Sequence, residues 1–352
     1  MFHSLSLPLL LLIFVAASAA VWFAGIQLSN TTDVLSSRFG FGQALGGIIL
    51  LAIATNLPEI AITTSAALSH NLGIAIGNIL GGIAIQTVVL VLLDIIGLWK
   101  EDALTYAAAS LQLVLEGGLV IAVLIISIMG TQLPRSLIFA RITPVGLLIT
   151  ITWIAGVWLL GKARTDLPWQ EKGRAPGTLM GQRGDMTKDT TQQWSTTRVI
   201  VVFLIAAIIT LIAGVVLEES GNDIATHIGL SGVLFGSTVL AAATSLPELS
   251  TGLASVKAGA YNLAFSDIFG GNAFLPVLFL LANLLSGQAV LPEAKNTDIY
   301  LAGLGILLTV IYIYGLIFRP RRQILHMGID SFLVIIVYAV GIVGLFAIAG
   351  GG

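Results

Sequence analysis

Two glutamates stand where a charge is expensive. Leu51 to Glu59 reads LAIATNLPE and Leu240 to Glu248 reads LAAATSLPE, identical at seven of nine positions with an offset of 189 (248 − 59). In each stretch a Glu follows a Pro inside an otherwise apolar run. A carboxylate at membrane depth costs solvation, and a Pro beside it removes a backbone donor. Ala52, Thr55 and Glu59 are spaced i, i+3, i+7, which places them on one helical face, and Ala241, Thr244 and Glu248 repeat the pattern. Pro58 clashes with the carbonyl four residues back, so carbonyls near Ala52 to Thr55 are expected to turn toward a ligand; Pro247 does the same near Ala241. With Ser245 as a further hydroxyl, the two stretches offer carboxylates, hydroxyls and carbonyls. An all-oxygen set of this kind suits Ca²⁺, Na⁺ or another hard cation.

A second pair of stretches follows each of these. Asn78, Gly82 and Gln86 are spaced i, i+4, i+8, and so are Asp267, Gly271 and Leu275. The double glycines Gly81-Gly82 and Gly270-Gly271 would let these helices approach the broken ones closely.

The elements that hold these residues are membrane spans. The chain has 352 residues, 57% hydrophobic and 10% charged, whereas a soluble domain is about a quarter charged. No cysteine is present, which excludes disulfides, thiolate metal sites and a Cys nucleophile. Ten apolar runs long enough to cross a bilayer are expected, at 5–28, 40–69, 72–98, 103–129, 135–161, 199–218, 230–257, 261–285, 298–318 and 328–350. The first reads as a retained span and not as a cleaved signal, because no Lys or Arg precedes it and the run is long. A polar stretch at 162–198, with no apolar periodicity, reads as a linker between a first five-helix repeat (1–161) and a second (199–352). The offset of 189 continues beyond the motifs, pairing Gly25 with Gly214, Gly47 with Gly236 and Ile79 with Ile268 without a gap.

Five spans per half is an odd number, so the second half enters from the opposite side. The fold class is therefore an all-α polytopic membrane protein of ten transmembrane helices in two inverted-topology five-helix repeats, with helices 2 and 7 broken at the prolines. With both termini outside, thirteen of the sixteen Lys and Arg fall on the inner side, and only Arg135, Arg141 and Lys295 fall outside. The linker is then cytoplasmic, in a plasma or inner membrane.

These residues resemble the cation/Ca²⁺ antiporter superfamily, in particular its sodium/calcium exchanger branch. That branch carries two inverted repeats, each with a G-T/S-S-x-P-E-type stretch followed by a G-N-x-x-G-S-N-x-x-N/D-type stretch on the next helix. Here the first elements are Ala54 to Glu59 and Ala243 to Glu248; the second run from Gly77 to Gln86 and from Ser266 to Leu275. The resemblance implies an antiporter with Glu59 and Glu248 as central Ca²⁺ carboxylates, Thr55 and Thr244 and the carbonyls of Ala52 and Ala241 completing the cage. The departures lie around that centre: Gly82 and Gly271 where the family has Ser, Asn56 where it has Ser, Asp267 where Asn is usual, and Gln86 and Leu275 where an amide or acid is usual. The outer Na⁺ positions are thus reduced, leaving exchange of Ca²⁺ for Na⁺ or for H⁺ open. A non-transporting cation-binding membrane protein, or an antiporter of another cation, is the other reading.

The remaining polar residues are assigned ordinary roles. Asp94 and Glu116 are expected to make structural hydrogen bonds, Glu116 with Arg141, and Glu218, Glu219 and Asp223 are expected in a solvated exterior loop. Gly229-Leu230-Ser231-Gly232 matches the G-x-S-G of rhomboid proteases, but the only downstream His, His326, falls on the other side of the membrane. No enzymatic activity, no cofactor, no nucleic acid and no protein partner are expected; inorganic cations and lipid are, around a monomer.

Overall fold

The computed structural model describes residues 5–38, 52–97, 102–108, 110–163, 193–230, 232–257 and 259–350. The expected linker at 162–198 and Ser231 therefore lie mostly or wholly outside the described residues. The helices are α1 (Leu7–Arg38), α2 (Leu57–Leu68), α3 (Leu72–Leu92), α4 (Leu104–Ala108), α5 (Leu111–Thr131), α6 (Pro144–Ala163) and α7 (Thr196–Ile228). They continue with α8 (Gly232–Phe235), α9 (Ala241–Thr244), α10 (Leu246–Lys257), α11 (Tyr261–Phe274), α12 (Leu278–Ser286), α13 (Asn296–Phe318) and α14 (Ile329–Gly350). π-Helical turns extend α3 (Leu93–Gly97) and join α8 to α9 (Gly236–Leu240), and a 3₁₀ turn (Leu275–Val277) joins α11 to α12. Two short strands, β1 (Gln323–Ile324) and β2 (Met327–Gly328), form a hairpin before α14.

Eight helical stretches among the described residues are long and apolar enough to cross a membrane. The chain is an all-helical, multi-pass membrane protein apart from that hairpin. Neither Pro-Glu stretch is among the eight, because each is interrupted where the sequence places its Pro. The fourth expected span is also split: Ser110 caps α5 by accepting from the Gln112 N–H (3.2 Å), leaving α4 as a separate turn and a half.

The two longest helices, α1 and α7, run antiparallel against each other. Phe14 of α1 lies beside Gly221 of α7, while Val34 and Leu35 cluster with Val199. At that second end Arg38 donates to the Trp194 carbonyl (2.7 Å) and to Thr196 Oγ1 (3.0 Å). Each long helix also crosses the broken helix of the other half at a glycine. A Cβ on Gly25 would lie 2.6 Å from Pro247 Cβ, and one on Gly214 would lie 2.7 Å from Ala61 Cβ and 3.0 Å from the Pro58 carbonyl. Those distances are too short for any side chain, so small residues set the helix separation.

α7 is longer than the apolar run suggests. It carries Glu218, Glu219 and Asp223 within the helix, so these residues do not form the expected exterior loop. Glu218 and Asp223 are buried, and Glu218 accepts from Ser65 Oγ of α2 at 2.9 Å. The polar residues here sit on a helix because they are spread singly through an apolar frame, with Gly229 in the left-handed conformation providing the stop only after Ile228. Glu116 and Arg141 do not meet as expected either. Glu116 lies near the start of α5 and accepts from Gln112 Nε2 (2.6 Å); Arg141 lies beyond its far end and donates to the Leu284 carbonyl (3.2 Å). The register of 189 also loosens late in the chain, since α6 and α14 begin 185 residues apart (329 − 144). The hairpin before α14 is a shorter connection than the one before α6.

Candidate functional site

The two breaks have the same local form. Helical hydrogen bonding runs through Asn56 and Ser245, whose backbones (φ −87°, ψ 14° and φ −80°, ψ 3°) sit just outside the α region. Pro58 and Pro247 stand in the first turn of α2 and α10, the one place in a helix where a missing N–H is not missed. Glu59 and Glu248 follow directly, and both are completely buried.

One side chain joins them. Gln86 of α3 donates from Nε2 to Glu59 Oε1 (3.2 Å) and to Glu248 Oε1 (3.4 Å). The second oxygen of each carboxylate, Oε2, is buried with no hydrogen-bond partner, as are Gln86 Oε1, Asn56 Oδ1 and both polar atoms of Asn78. Thr244 lies beside Glu59. Asp267 approaches Glu248 through Thr251, whose hydroxyl donates to Asp267 Oδ2 (2.5 Å). The region is thus a buried concentration of oxygen acceptors with few donors. Acceptors in that excess cannot satisfy one another and call for a cation, a proton or water. No group of three or more His, Cys, Asp or Glu is drawn together among the described residues, so any cation here relies on amides and hydroxyls beside the two glutamates.

The backbone carbonyls of Ala52 and Ala241 differ from expectation. Asn56 folds back so that its Nδ2 donates to the Ala52 carbonyl (2.6 Å), with the Asn56 N–H (3.3 Å) and Thr55 Oγ1 (3.4 Å) on the same oxygen. The Ala241 carbonyl likewise takes Ser245 Oγ (2.7 Å), the Ser245 N–H (3.1 Å) and Thr244 Oγ1 (3.2 Å). A carbonyl has two lone pairs, so in this conformation neither is free. The prolines do release carbonyls, but the short polar side chains at the breaks reclaim these two.

The glycines at 82 and 271 have a specific use. A Cβ on Gly271 would lie 2.8 Å from Asn56 Nδ2 and 3.6 Å from Gln86 Oε1; a Cβ on Gly82 would lie 3.5 Å from Leu275 Cδ1. Each glycine therefore makes room for the residue at the opposite half's 86/275 position. Asn56, larger than Ser, fits only because Gly271 lacks a side chain.

Sequence reasoning missed Thr251 and Asn272. Thr251 stands three residues after Glu248, a polar residue at helical spacing that could have been flagged. Asn272 Nδ2 donates to Thr87 Oγ1 (3.2 Å) and to the Ile83 carbonyl (3.4 Å). Ile83 and Asn272 are 189 apart, and an apolar residue in one copy opposite an amide in the other gave no repeat signal.

A bundle of long apolar helices with paired carboxylates buried in its middle defines an integral membrane protein with a polar centre. The chain belongs to the sodium/calcium exchanger protein family, whose model matches residues 9–161 and 198–347. The two matched stretches begin 189 residues apart. The inner membrane protein YrbG of Escherichia coli is 27% identical over 283 residues, 79% of this chain and 80% of that one. The putative antiporter CaxA of Alkalimonas amylolytica is 28% identical over 255 residues, 72% and 73% of the two chains. The fold is that of the H⁺/Ca²⁺ exchanger CAX, with a TM-score of 0.67 at 13% identity over 97% of this chain and 88% of the other. It is also that of the sodium-calcium exchanger NCX_Mj, with a TM-score of 0.60 at 18% identity over 96% and 99%.

Proposed function

We propose that this chain is a secondary active cation antiporter that exchanges Ca²⁺ for Na⁺ or H⁺ at a site built on Glu59 and Glu248. The observation that carries this reading is the pair of fully buried carboxylates held on one amide, each with an oxygen that has no partner. Two carboxylates roughly 5 Å apart repel by about 3 kcal/mol at an effective dielectric of ~20, and burial adds to the cost. A pair closed off from water must therefore carry a divalent ion, monovalent ions or protons. Occupants that need the same oxygens exclude one another, and mutual exclusion with access to one side at a time is exchange. The names of the relatives, which include H⁺/Ca²⁺, sodium/calcium and unspecified antiporters, support the Ca²⁺ assignment and leave both coupling ions in play.

In this reading Glu59 and Glu248 hold the ion. Thr55, Thr244, Asn56, Asn78 and Gln86 supply neutral oxygens, and Asp267 tunes the charge beside Glu248. Ser245 and the carbonyls of Ala52 and Ala241 join when the Asn56 and Ser245 side chains turn away. The frame is ten spans in two inverted five-helix repeats joined by the cytoplasmic stretch 162–198, with both termini outside. The antiparallel course of α1 and α7 and the matched seats Gly25–Pro247 and Gly214–Pro58 support that arrangement. The test is ⁴⁵Ca²⁺ uptake into proteoliposomes under an imposed Na⁺ or pH gradient, with Glu59→Gln and Glu248→Gln alongside. Flux that survives both substitutions overturns the site; the gradient that drives flux names the coupling ion.

A further inference from the structure

A second pair of buried carboxylates lies at the far end of α3. Asp94, in the π-helical turn after α3, is 1% exposed, and Asp330, in the first turn of α14, is 5% exposed. Asp94 is held by two backbone donors, the Leu104 N–H at the start of α4 (2.9 Å to Oδ1) and the Gly328 N–H of β2 (2.7 Å to Oδ2). Asp330 is not held: both of its carboxylate oxygens are buried without a hydrogen-bond partner. The Thr105 hydroxyl and the backbone N–H groups of Asp330 and Ser331 face it without closing a bond. The Thr105 hydroxyl, 1% exposed, has no partner at all.

The two carboxylates share one small space. A Cβ on Gly328 would collide with Asp330 Oδ1 and lie 3.3 Å from Asp94 Oδ2, and one on Gly315 of α13 would collide with Asp330 Oδ2. The hydroxyls of Ser331 and Tyr312, 3.3 Å apart, complete the lining, with Ser331 beside Asp94. No Lys or Arg among the described residues forms an ion pair with either acid. An acid in a first helical turn is favoured by the helix dipole, but that benefit is available to an exposed side chain and does not explain one driven into a glycine-lined pocket beside a second carboxylate. Two buried negative charges, up to four carboxylate oxygens and three hydroxyls match a Ca²⁺-sized divalent ion, which takes six to eight oxygens and leaves the pair neutral.

We propose that Asp94 and Asp330, with Thr105, Ser331 and Tyr312, form a second site for a hard divalent cation, separate from Glu59 and Glu248. It stands eight residues beyond Gln86 on the same helical run, about 12 Å along the axis. An ion there ties the ends of α3, α4, α13 and α14 together. Leu93, next to Asp94, fills the space a side chain on Gly252 of α10 would need, so the same turn also bears on the helix that carries Glu248.

Terbium luminescence on the purified full-length chain in detergent tests this, because Tyr312 lies in the site and can sensitise the ion. In the Glu59→Gln/Glu248→Gln background, emission displaceable by Ca²⁺ is expected. Adding Asp330→Asn abolishes it, and adding Thr105→Val, which leaves both carboxylates in place, weakens it several-fold. Size-exclusion chromatography confirms that each variant is folded, and Thr105→Val serves in place of the Asn variant should that one fail. Emission unchanged by Asp330→Asn and Thr105→Val overturns the proposal, and so does the absence of displaceable emission in the Gln/Gln background. Should Glu59 and Glu248 not be the transport site, that background binds Ca²⁺ as the native chain does. Asp330→Asn alone, read as the loss of one bound cation per chain, then still decides the second site.

Discussion

The helices α3 and α11 occupy equivalent places in the two halves and do different work. α3 sends Gln86 between the glutamates, where the two hydrogens of one amide are divided between two carboxylates. α11 ends on Leu275 at the matching position, and its methyl group merely packs over Gly82. At the preceding position α3 carries Asn78 without partners while α11 carries Asp267 bonded to Thr251. The difference shows that a duplicated frame does not need duplicated chemistry. Two residues that converge on one gap can be complementary, one polar and one apolar, and still complete a single site.

The largest expected effect removes what the halves share. Glu59→Gln or Glu248→Gln alone reduces ⁴⁵Ca²⁺ flux to background, because a divalent ion loses half of its balancing charge. The double variant is no worse than either single one, as befits groups that act as a unit. Next comes the bridge. Gln86→Leu makes α3 like α11 and is expected to weaken Ca²⁺ affinity tenfold or more, a change of about 1.4 kcal/mol per decade. Adding Leu275→Gln puts the amide on the opposite helix and restores most of the affinity. Failure of that exchange to rescue, with both proteins folded, breaks the comparison outright. A smaller effect follows from Gly271→Ser, which crowds Asn56 and is expected to destabilise the chain by about 1–3 kcal/mol. Asn56→Ser relieves the clash, so the pair is non-additive in thermal unfolding. The smallest is Gly303→Ala, where a Cβ meets nothing within 4 Å; it stays within about 0.5 kcal/mol of the native chain and calibrates the others.

Much of this was legible in the sequence because the repeat is local and strict. The Pro-Glu pairs, the broken helices and the faces bearing Thr55 and Thr244 follow from spacing alone. What was not legible depends on rotamers and on contacts between distant segments. The donation of Asn56 and Ser245 to the Ala52 and Ala241 carbonyls is a choice of side-chain direction that no spacing reveals. The role of Gln86 depends on two glutamates 27 and 162 positions away meeting at one nitrogen. Glu218 and Asp223 were misplaced because a polar residue in an apolar helix and one in a loop look alike until the packing partner, here Ser65, is known. Asp330 hid for the same reason: at the head of an apolar helix it looks like a helix-dipole acid, and only the fold brings Asp94 to it.

The glycine seats also set an order of events during synthesis. Gly25 of α1 finds its seat on Pro247, which is made 222 residues later (247 − 25). At the usual rates of roughly 5–20 residues per second, that is a wait of about 10–45 s. Through that interval α1 is in the membrane with its close-packing face against lipid or a temporary neighbour. The mirror-image seat forms promptly, since Pro58 is already in place when Gly214 arrives. The first half is thus completed by the arrival of the second, and a chain interrupted between them leaves its leading helix without a berth.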